Sequence, residues 1–453
     1  MTTNGTNPTP SPQDRKCPAL FVSGPATRQG KTTVSVALAR LHAREGRTVR
    51  VFKCGQDFLD PVWLSLASGA PVHQLDLWVS GEAECRRRLW QAAGEADLII
   101  VEGVMGLFDG QPSSADLAIA FSLPVVAVVD AWFMAQTFGA VAMGLRDYTQ
   151  GLPWAGVLAN RVAGAAHARM LQQSLRDPDD WLGALPYDAG MCLPERHLGL
   201  VSAGELDDPN GRLDRAADGL RDTVLGNLTV AELGKWTVNF TAPDIADRVP
   251  RPLAGCTIAV ARDAAFCFIY DANITVLEEL GATIVFMSPL VDTQLPECDA
   301  VWLPGGYPEL HTAALSRNAA FREGLRAHVL HDRPVWAECG GLMSLFDSMM
   351  TADGSSHPMW GVMPGQVSMQ EKLVALGPHE VSLTTGTLRG HTYHHSHCTT
   401  TLVPAGFTRA AAASETNREA IYVIGNTRGS YFHAYFGSSP VATAQLFKPG
   451  KIL

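Results

Sequence analysis

Two short stretches of this sequence hold residue types that do chemistry only from particular places in a fold. The first is SGPATRQGKTT, residues 23–33, which lies between the apolar run ALFV and a helical pattern carrying Val34, Ala37, Leu38 and Leu41. Glycines let such a loop turn its backbone N–H groups inward at phosphate oxygens, at the positive end of the following helix. There Lys31 reaches the outer phosphates and the Thr32 hydroxyl ligates magnesium, with Thr33 beside it. The spacing Gly24-x5-Gly30-Lys31-Thr32 is one residue longer than the standard Walker loop. The second stretch is RPVWAECGGLMSLF, an apolar strand, a turn of small residues and an apolar helix, with Cys339 at the turn. That is the pattern of a nucleophile elbow, which lifts a sulfur out of a sheet onto a helix N-terminus, where the dipole favours thiolate. An unassisted thiol is mostly protonated at neutral pH, so a base is expected, and His433 in GSYFHAYFG is the candidate. Gly305 and Gly306 in LPGGYPEL end an earlier strand and supply N–H groups for an oxyanion hole.

Other residues are candidates by position. LIIVEGVMGLFDG places Glu102 against a strand end with Asp109 seven residues on, and both suit the metal side of a phosphate site. Asn160 ends the strand AGVLAN, where an amide reads a nucleotide base or simply makes a turn. In VFKCGQDFLDP, Lys53 suits a substrate carboxylate, and Asp57 and Asp60 suit metal or substrate, although the same cluster also reads as a structural turn. The run LRGHTYHHSHC crowds four histidines and Cys398 into one group. Structural zinc sites gather two separated ligand pairs, so a strand whose histidines donate to substrate carboxylates is the better account.

These residues need scaffolds. At 453 residues the chain is too long for one ordinary core. Its first half alternates β-branched runs (19–22, 97–103, 124–130, 155–160) with helical patterns, which predicts βαβ units and a parallel sheet. A second α/β series starts at CTIAVAR. The expected divisions are a disordered tail over 1–17, a P-loop domain over 18–236, a proline-containing linker over 237–252 and a thiol domain over 253–453. Net charge of −10 disfavours nucleic acid, and no apolar run approaches the ~18 residues of a membrane span, so neither partner is expected. Nine scattered cysteines without a C-x-x-C pair fit a reducing cytoplasm.

Together these segments resemble the cobyrinate or hydrogenobyrinate a,c-diamide synthases of cobalamin biosynthesis, from about residue 18 to the end. The resemblance is carried by SGPATRQGKTT, EGVMGLFDG, ERHLGL, ARDAAFCFIY, LPGGYPEL, AECGGLM and RGHTYHHS. It implies an α/β fold with a dethiobiotin synthetase-like P-loop domain and a class I glutamine amidotransferase-like domain. It also implies ATP as co-substrate with Mg2+, a corrinoid polycarboxylate and glutamine as the other small molecules, and room for a homodimer. On the same ground Arg196 and His197 become substrate contacts. The chain departs from the family in three places: KCGQDFLDP has Gln56 and Phe58 where Pro and Tyr are common, Thr392 stands where Glu is usual, and Tyr435 occupies the position of the acid two residues after the class I histidine. Related alternatives are the nickel sirohydrochlorin a,c-diamide synthases and the cobyric acid synthases; the latter carry G-x-C-G-G and G-Y-E-I-H where this chain has AECGG and GHTYH. A ParA-like switch is a distant alternative, and its early loop lysine is missing between Gly24 and Gly30.

Overall fold

Alternation along the short apolar runs decides the architecture of both halves. In the first run Ala19 and Phe21 face one core and Leu20 and Val22 another, all of them fully buried. A strand apolar on both sides needs helices on both sides, which a parallel sheet with crossover connections provides. The computed structural model describes residues 13–196, 199–200, 207–243, 250–412 and 417–453. It divides into two units, Met1–Asp247 and Arg248–Leu453. No helix among the described residues is long and apolar enough to cross a membrane.

The first unit runs β1 (Arg15–Ser23), α1 (Lys31–Arg44), β2 (Val49–Cys54), α2 (Asp60–Ser68), β3 (His73–Leu75), α3 (Glu82–Ala93), β4 (Leu98–Glu102), α4 (Ser114–Ala120), β5 (Val125–Asp130), α5 (Thr137–Asp147), β6 (Trp154–Val162), α6 (Ala165–Gln173), β7 (Trp181–Pro186), β8 (Glu195–Arg196), β9 (Gly199–Leu200), α7 (Pro209–Arg221), α8 (Val230–Leu233) and β10 (Thr237–Phe240). The main sheet has the order β3-β2-β4-β1-β5-β6-β7, with parallel neighbours. From β1 the chain leaves to one side through β2 and later returns to the other through β5. The carboxyl end of β1 is therefore a switch point, where α/β sheets open a crevice for ligands. Helices α1 and α7 lie on one face, joined by Arg40 to Asp214 at 2.7 Å, and α3, α4 and α5 lie on the other.

Two expected boundaries are corrected. Arg15–Cys17, placed in a disordered tail, open β1, and Thr237–Phe240, placed in the linker, form β10. The two segments pair antiparallel, Arg15 opposite Phe240 and Pro18 opposite Thr237. Neither carries enough apolar periodicity to be read alone; each completes the other's backbone hydrogen bonds.

The second unit runs β11 (Thr257–Ala261), α9 (Asp271–Glu279), β12 (Thr283–Met287), β13 (Ala300–Leu303), α10 (Thr312–Arg317), α11 (Ala319–Leu330), β14 (Val335–Glu338), α12 (Gly340–Leu345), β15 (Phe346–Met350), β16 (Ser356–Pro358), β17 (Met363–Met369), β18 (Ala375–Leu383), β19 (Gly386–His394), β20 (Ser396–Thr399), β21 (Gly406–Phe407), β22 (Arg409–Ala410), β23 (Ala420–Ile424), β24 (Thr427–Ser430), β25 (Phe432–Tyr435) and α13 (Pro440–Leu446). Its central sheet is ordered β12-β11-β13-β14-β24-β23-β21 and is again buried on two faces: Val301 and Leu303 enter one core, Ala300 and Trp302 the other. A separate antiparallel sheet, β22-β18-β19-β25, sets His391 directly opposite His433.

Candidate active sites

The phosphate loop is built at the switch point. Gly30 sits at φ 92°, in the left-handed region, and a Cβ there would collide with the Asn160 amide. Asn160 lies within β6 rather than at its end; its Nδ2 donates to the Gln29 carbonyl at 2.9 Å, and its Oδ1 accepts the Arg161 N–H at 2.9 Å. The amide, expected either to read a base or to make a turn, holds the loop and also lines the cavity above it. Lys31 Nζ spans the loop mouth, donating to the Ala26 carbonyl at 2.9 Å and to the Met105 carbonyl at 2.6 Å. Burial, with nearby Lys53 second, lowers its pKa to about 8. The EGVMGLFDG turn leans on the same loop, with the Leu107 N–H donating to the Gly24 carbonyl at 2.8 Å.

Beneath the loop three distant segments bring charge together. Lys53 on β2 lies 2.6 Å from Asp60 Oδ2 at the start of α2 and 2.6 Å from Glu102 Oε1 at the end of β4. The Thr32 hydroxyl donates to Glu102 at 2.8 Å and lies 3.4 Å from Asp60. Burial alone would lower Lys53, but its carboxylate neighbours hold it well above the usual lysine range. Burial opposes ionisation of Asp60 as well, yet Lys53 holds that acid below its ordinary value, whereas Glu102, fully buried, is pushed up. One ammonium cannot neutralise two carboxylates, and Glu102 Oε2 is a buried oxygen with no hydrogen-bond partner. A hard divalent cation suits this donor set of hydroxyl and carboxylate oxygens. Asp109, expected beside the metal, instead accepts the Gly106 N–H at 2.7 Å and pins its own turn. Asp57 accepts the Leu59 and Asp60 N–H groups at 2.8 and 3.1 Å, so it also shapes the start of α2.

A cavity of about 380 Å³ opens over the loop, lined by Gly30, Lys31, Thr32, Thr33, Lys53 and Asp60 and closed by a wall from Leu185 to Leu193. The wall follows β7 and has no motif, so the sequence reading missed it; so too Arg161, which lines the cavity and pairs with Asp130 at 2.9 Å. Of the two residues expected to contact substrate further on, Arg196 lies in β8, paired with β9, and His197 lies outside the described residues.

In the second unit Cys339 is the strained residue of a strand–turn–helix, at φ 43° and ψ −105°. The turn tolerates this only because small residues follow: a Cβ on Gly340 would lie 2.8 Å from Pro308 Cδ and 3.0 Å from the Gly306 N–H nitrogen, and one on Gly341 would strike the Leu303 carbonyl. A Cβ on Gly305 would in turn collide with the His433 ring. The glycine pair, the elbow and the histidine are thus adjacent. The Gly340 N–H at the start of the six-residue α12 favours thiolate, but burial, then Glu309, outweigh it and push the thiol above its ordinary range. Burial also holds His433 well below the usual imidazole range, with His391 and His394 adding to it. Both shifts favour the neutral forms, and a neutral imidazole is the form that can accept the thiol proton.

The ring of His433 is set by aromatic neighbours. His391 stacks on it at 4.9 Å and 16°, Tyr270 OH lies 3.3 Å from His391 Nδ1, and Tyr435 meets Tyr270 edge-on at 5.7 Å. Of the histidine run, His391 and His394 are both buried, three residues apart on β19 and so on opposite faces of the strand. His394 is 3.1 Å from Glu419, which also accepts the Thr392 hydroxyl at 2.9 Å. No sequence signal marked Glu419, an isolated acid at the start of a different segment. Among the described residues, no group of three or more His, Cys, Asp or Glu is arranged to hold a metal ion.

Comparison with known proteins assigns both units. Residues 20–201 match the model of the CobQ/CobB/MinD/ParA nucleotide binding domain, and residues 257–441 match that of the CobB/CobQ-like glutamine amidotransferase domain. Hydrogenobyrinate a,c-diamide synthase of Stutzerimonas stutzeri is 52% identical over 435 residues, 96% of this chain and 99% of the relative. The Pseudomonas aeruginosa protein of the same name is 50% identical, covering 96% and 98%. Cobyrinate a,c-diamide synthase of Herminiimonas arsenicoxydans is 46% identical, covering 95% and 96%. The fold is accordingly α/β, a P-loop unit followed by a glutamine amidotransferase unit, and the chain belongs to the hydrogenobyrinate and cobyrinate a,c-diamide synthase family.

Proposed function

We propose that this enzyme amidates the a and c acetate side chains of hydrogenobyrinic acid, using ATP and glutamine. The observation that carries the reading is one chain holding both a phosphate loop and a thiol elbow, in a sequence matched end to end by relatives of that name. The metal-free macrocycle is favoured because relatives at 50% and 52% identity carry the hydrogenobyrinate name, whereas the one at 46% carries cobyrinate.

A carboxylate is a poor electrophile until one oxygen becomes a phosphate leaving group. In the first unit a substrate carboxylate oxygen attacks the γ-phosphorus, ADP leaves, and an acyl phosphate forms. Lys31 trades its loop carbonyls for phosphate oxygens, while the loop N–H groups hold the phosphates in place. Thr32, Glu102 and Asp60 would hold Mg2+, which neutralises phosphate charge when bound. Lys53 keeps the two acids together, and Arg161 supplies a cation at the cavity rim. In the second unit Cys339 attacks the glutamine amide carbon, and His433 takes the thiol proton and passes it to the leaving ammonia. The N–H groups at Gly305 and Gly306 meet the oxyanion, and water then hydrolyses the thioester to glutamate. Ammonia displaces phosphate from the acyl group, and the cycle repeats at the second acetate. All nine cysteines are unpaired, which supports a reducing cytoplasmic setting.

The test is mass spectrometry of the products from hydrogenobyrinic acid with MgATP and glutamine, run beside cobyrinic acid. Two successive replacements of OH by NH2 on the metal-free acid are expected. Turnover of cobyrinic acid alone would sink the metal-free assignment, and turnover of neither would sink the substrate class.

A further inference from the structure

The turn after the Gly305–Gly306 pair carries an acid that the chemistry above leaves unused. Glu309 sits in the short turn Pro308–Leu310, which is pressed onto the nucleophile elbow, since the Gly340 position faces Pro308 and Gly306 together. The preceding residue pair is fixed as well. Tyr307 meets Phe268 edge-on at 4.9 Å, the Phe268 N–H donates to the Gly305 carbonyl at 3.0 Å, and the Phe268 ring lies 6.1 Å from that of His433. Glu309 is half-buried, and among the described residues its carboxyl group pairs with no Lys, Arg or His. Of the charged groups around Cys339 it acts most strongly on the thiol, and burial pushes its own carboxyl up to about 7. A half-buried acid without a cation is costly, and beside a thiol it also opposes thiolate formation. Neither effect helps the chemistry of Cys339, so the acid calls for a cation that arrives with the substrate.

Glutamine brings one. When its amide carbon lies at the Cys339 sulfur and its amide oxygen at Gly305 and Gly306, its α-ammonium is four bonds away, on the scale of one residue's reach from the elbow. We propose that Glu309 receives this ammonium and thereby selects glutamine over amides that lack an α-amino group, an inference that rests on the glutaminase reading of Cys339. Binding then pairs the acid, ionises it fully, and removes its unfavourable field from the thiol as the substrate seats. The substrate's own charge prepares the nucleophile.

The experiment compares ammonia release from glutamine and from glutaramate, the same side-chain amide without the amino group, in the full-length wild type and in Glu309→Gln. The wild type is expected to favour glutamine by at least about 30-fold in kcat/KM, the scale of a desolvated charge pair. Glu309→Gln is expected to lose that preference, with KM for glutamine raised, glutaramate turnover raised because the acid's field on the thiol is gone, and ammonia-driven amidation unchanged. Glu309→Asp, which keeps the charge, is expected to recover part of it. Equal loss on both amides, or an unchanged preference in Glu309→Gln, would overturn the proposal. A wild type without preference would overturn it independently of any variant's folding. A wild type that hydrolyses neither amide removes the glutaminase reading itself, an outcome visibly different from the others.

Discussion

The end of the sheet in the first unit gathers paired charges of both signs, whereas around Cys339 in the second the acids that act on the thiol, Glu309, Glu419 and Glu338, all oppose its ionisation. Lys53, Asp60 and Glu102 lie within hydrogen-bonding distance of one another through the lysine, Lys31 holds the loop above them, and each is tied to a backbone carbonyl, a hydroxyl or an opposite charge. Around Cys339 the reactive groups are a buried thiol and a buried imidazole, and desolvation favours the neutral form of each. The difference follows the task. Phosphoryl transfer moves highly charged groups and needs fixed counter-charges arranged beforehand. Thioester formation needs one proton to move from sulfur to imidazole, and a dry, neutral pair does this without a charged resting state. What the comparison teaches is that burial has opposite uses here: it strengthens paired charges in one unit and suppresses unpaired ones in the other.

The comparison breaks most sharply at the two reactive side chains. Cys339→Ser is expected to abolish glutamine-dependent amidation while ammonia-driven amidation continues, measured by product mass; loss of both would contradict a division of labour between the units. Lys31→Ala is the converse, with glutaminase retained and amidation lost with either nitrogen source. Next in size is Lys53→Met, which leaves Asp60 and Glu102 buried and facing each other. A loss of about 3 kcal/mol in the first unit's stability is expected, smaller in acid, where the two carboxyls share a proton. Equal losses in acid and base would mean that the lysine acts through packing alone. The choice between acids is sharpened by Asp60→Asn against Asp109→Asn. Asp60→Asn is expected to cost amidation at least about tenfold more at limiting Mg2+, and the reverse order would return Asp109 to the metal.

The neutral side is tested by pH. Glu338, whose Oε1 accepts the Trp336 indole N–H at 2.7 Å, is pushed up to about 8 by burial. Its folded value lies above its unfolded value of 4.5, so its contribution is fully present below about pH 4.5 and is lost as pH rises through about 8. Melting of the second unit is expected to weaken over that window, and Glu338→Gln is expected to flatten the slope. An unchanged slope would show that Glu338 ionises freely in the fold.

Much of this was legible in consecutive residues. Strand, loop and helix around Lys31, and strand, turn and helix around Cys339, announce themselves because period, glycine placement and a reactive residue all fall within about a dozen positions. The wall from Leu185 to Leu193, the β1–β10 pairing and Glu419 were not legible, since each acquires meaning only from a partner far along the chain. Glu309 was in view within LPGGYPEL but carried no role until its turn was seen against the elbow.

By itself the sequence determined that this chain has a phosphate loop and a strand–turn–helix around a thiol, because those geometries are set by local backbone preferences and by which side chains are small. Only the tertiary structure decided that Asp60 and not Asp109 meets Thr32, that Asn160 braces the loop, and that burial favours the neutral forms of Cys339 and His433. Those outcomes depend on burial and on Coulomb sums over neighbours drawn from separate strands, and no window of adjacent residues contains them.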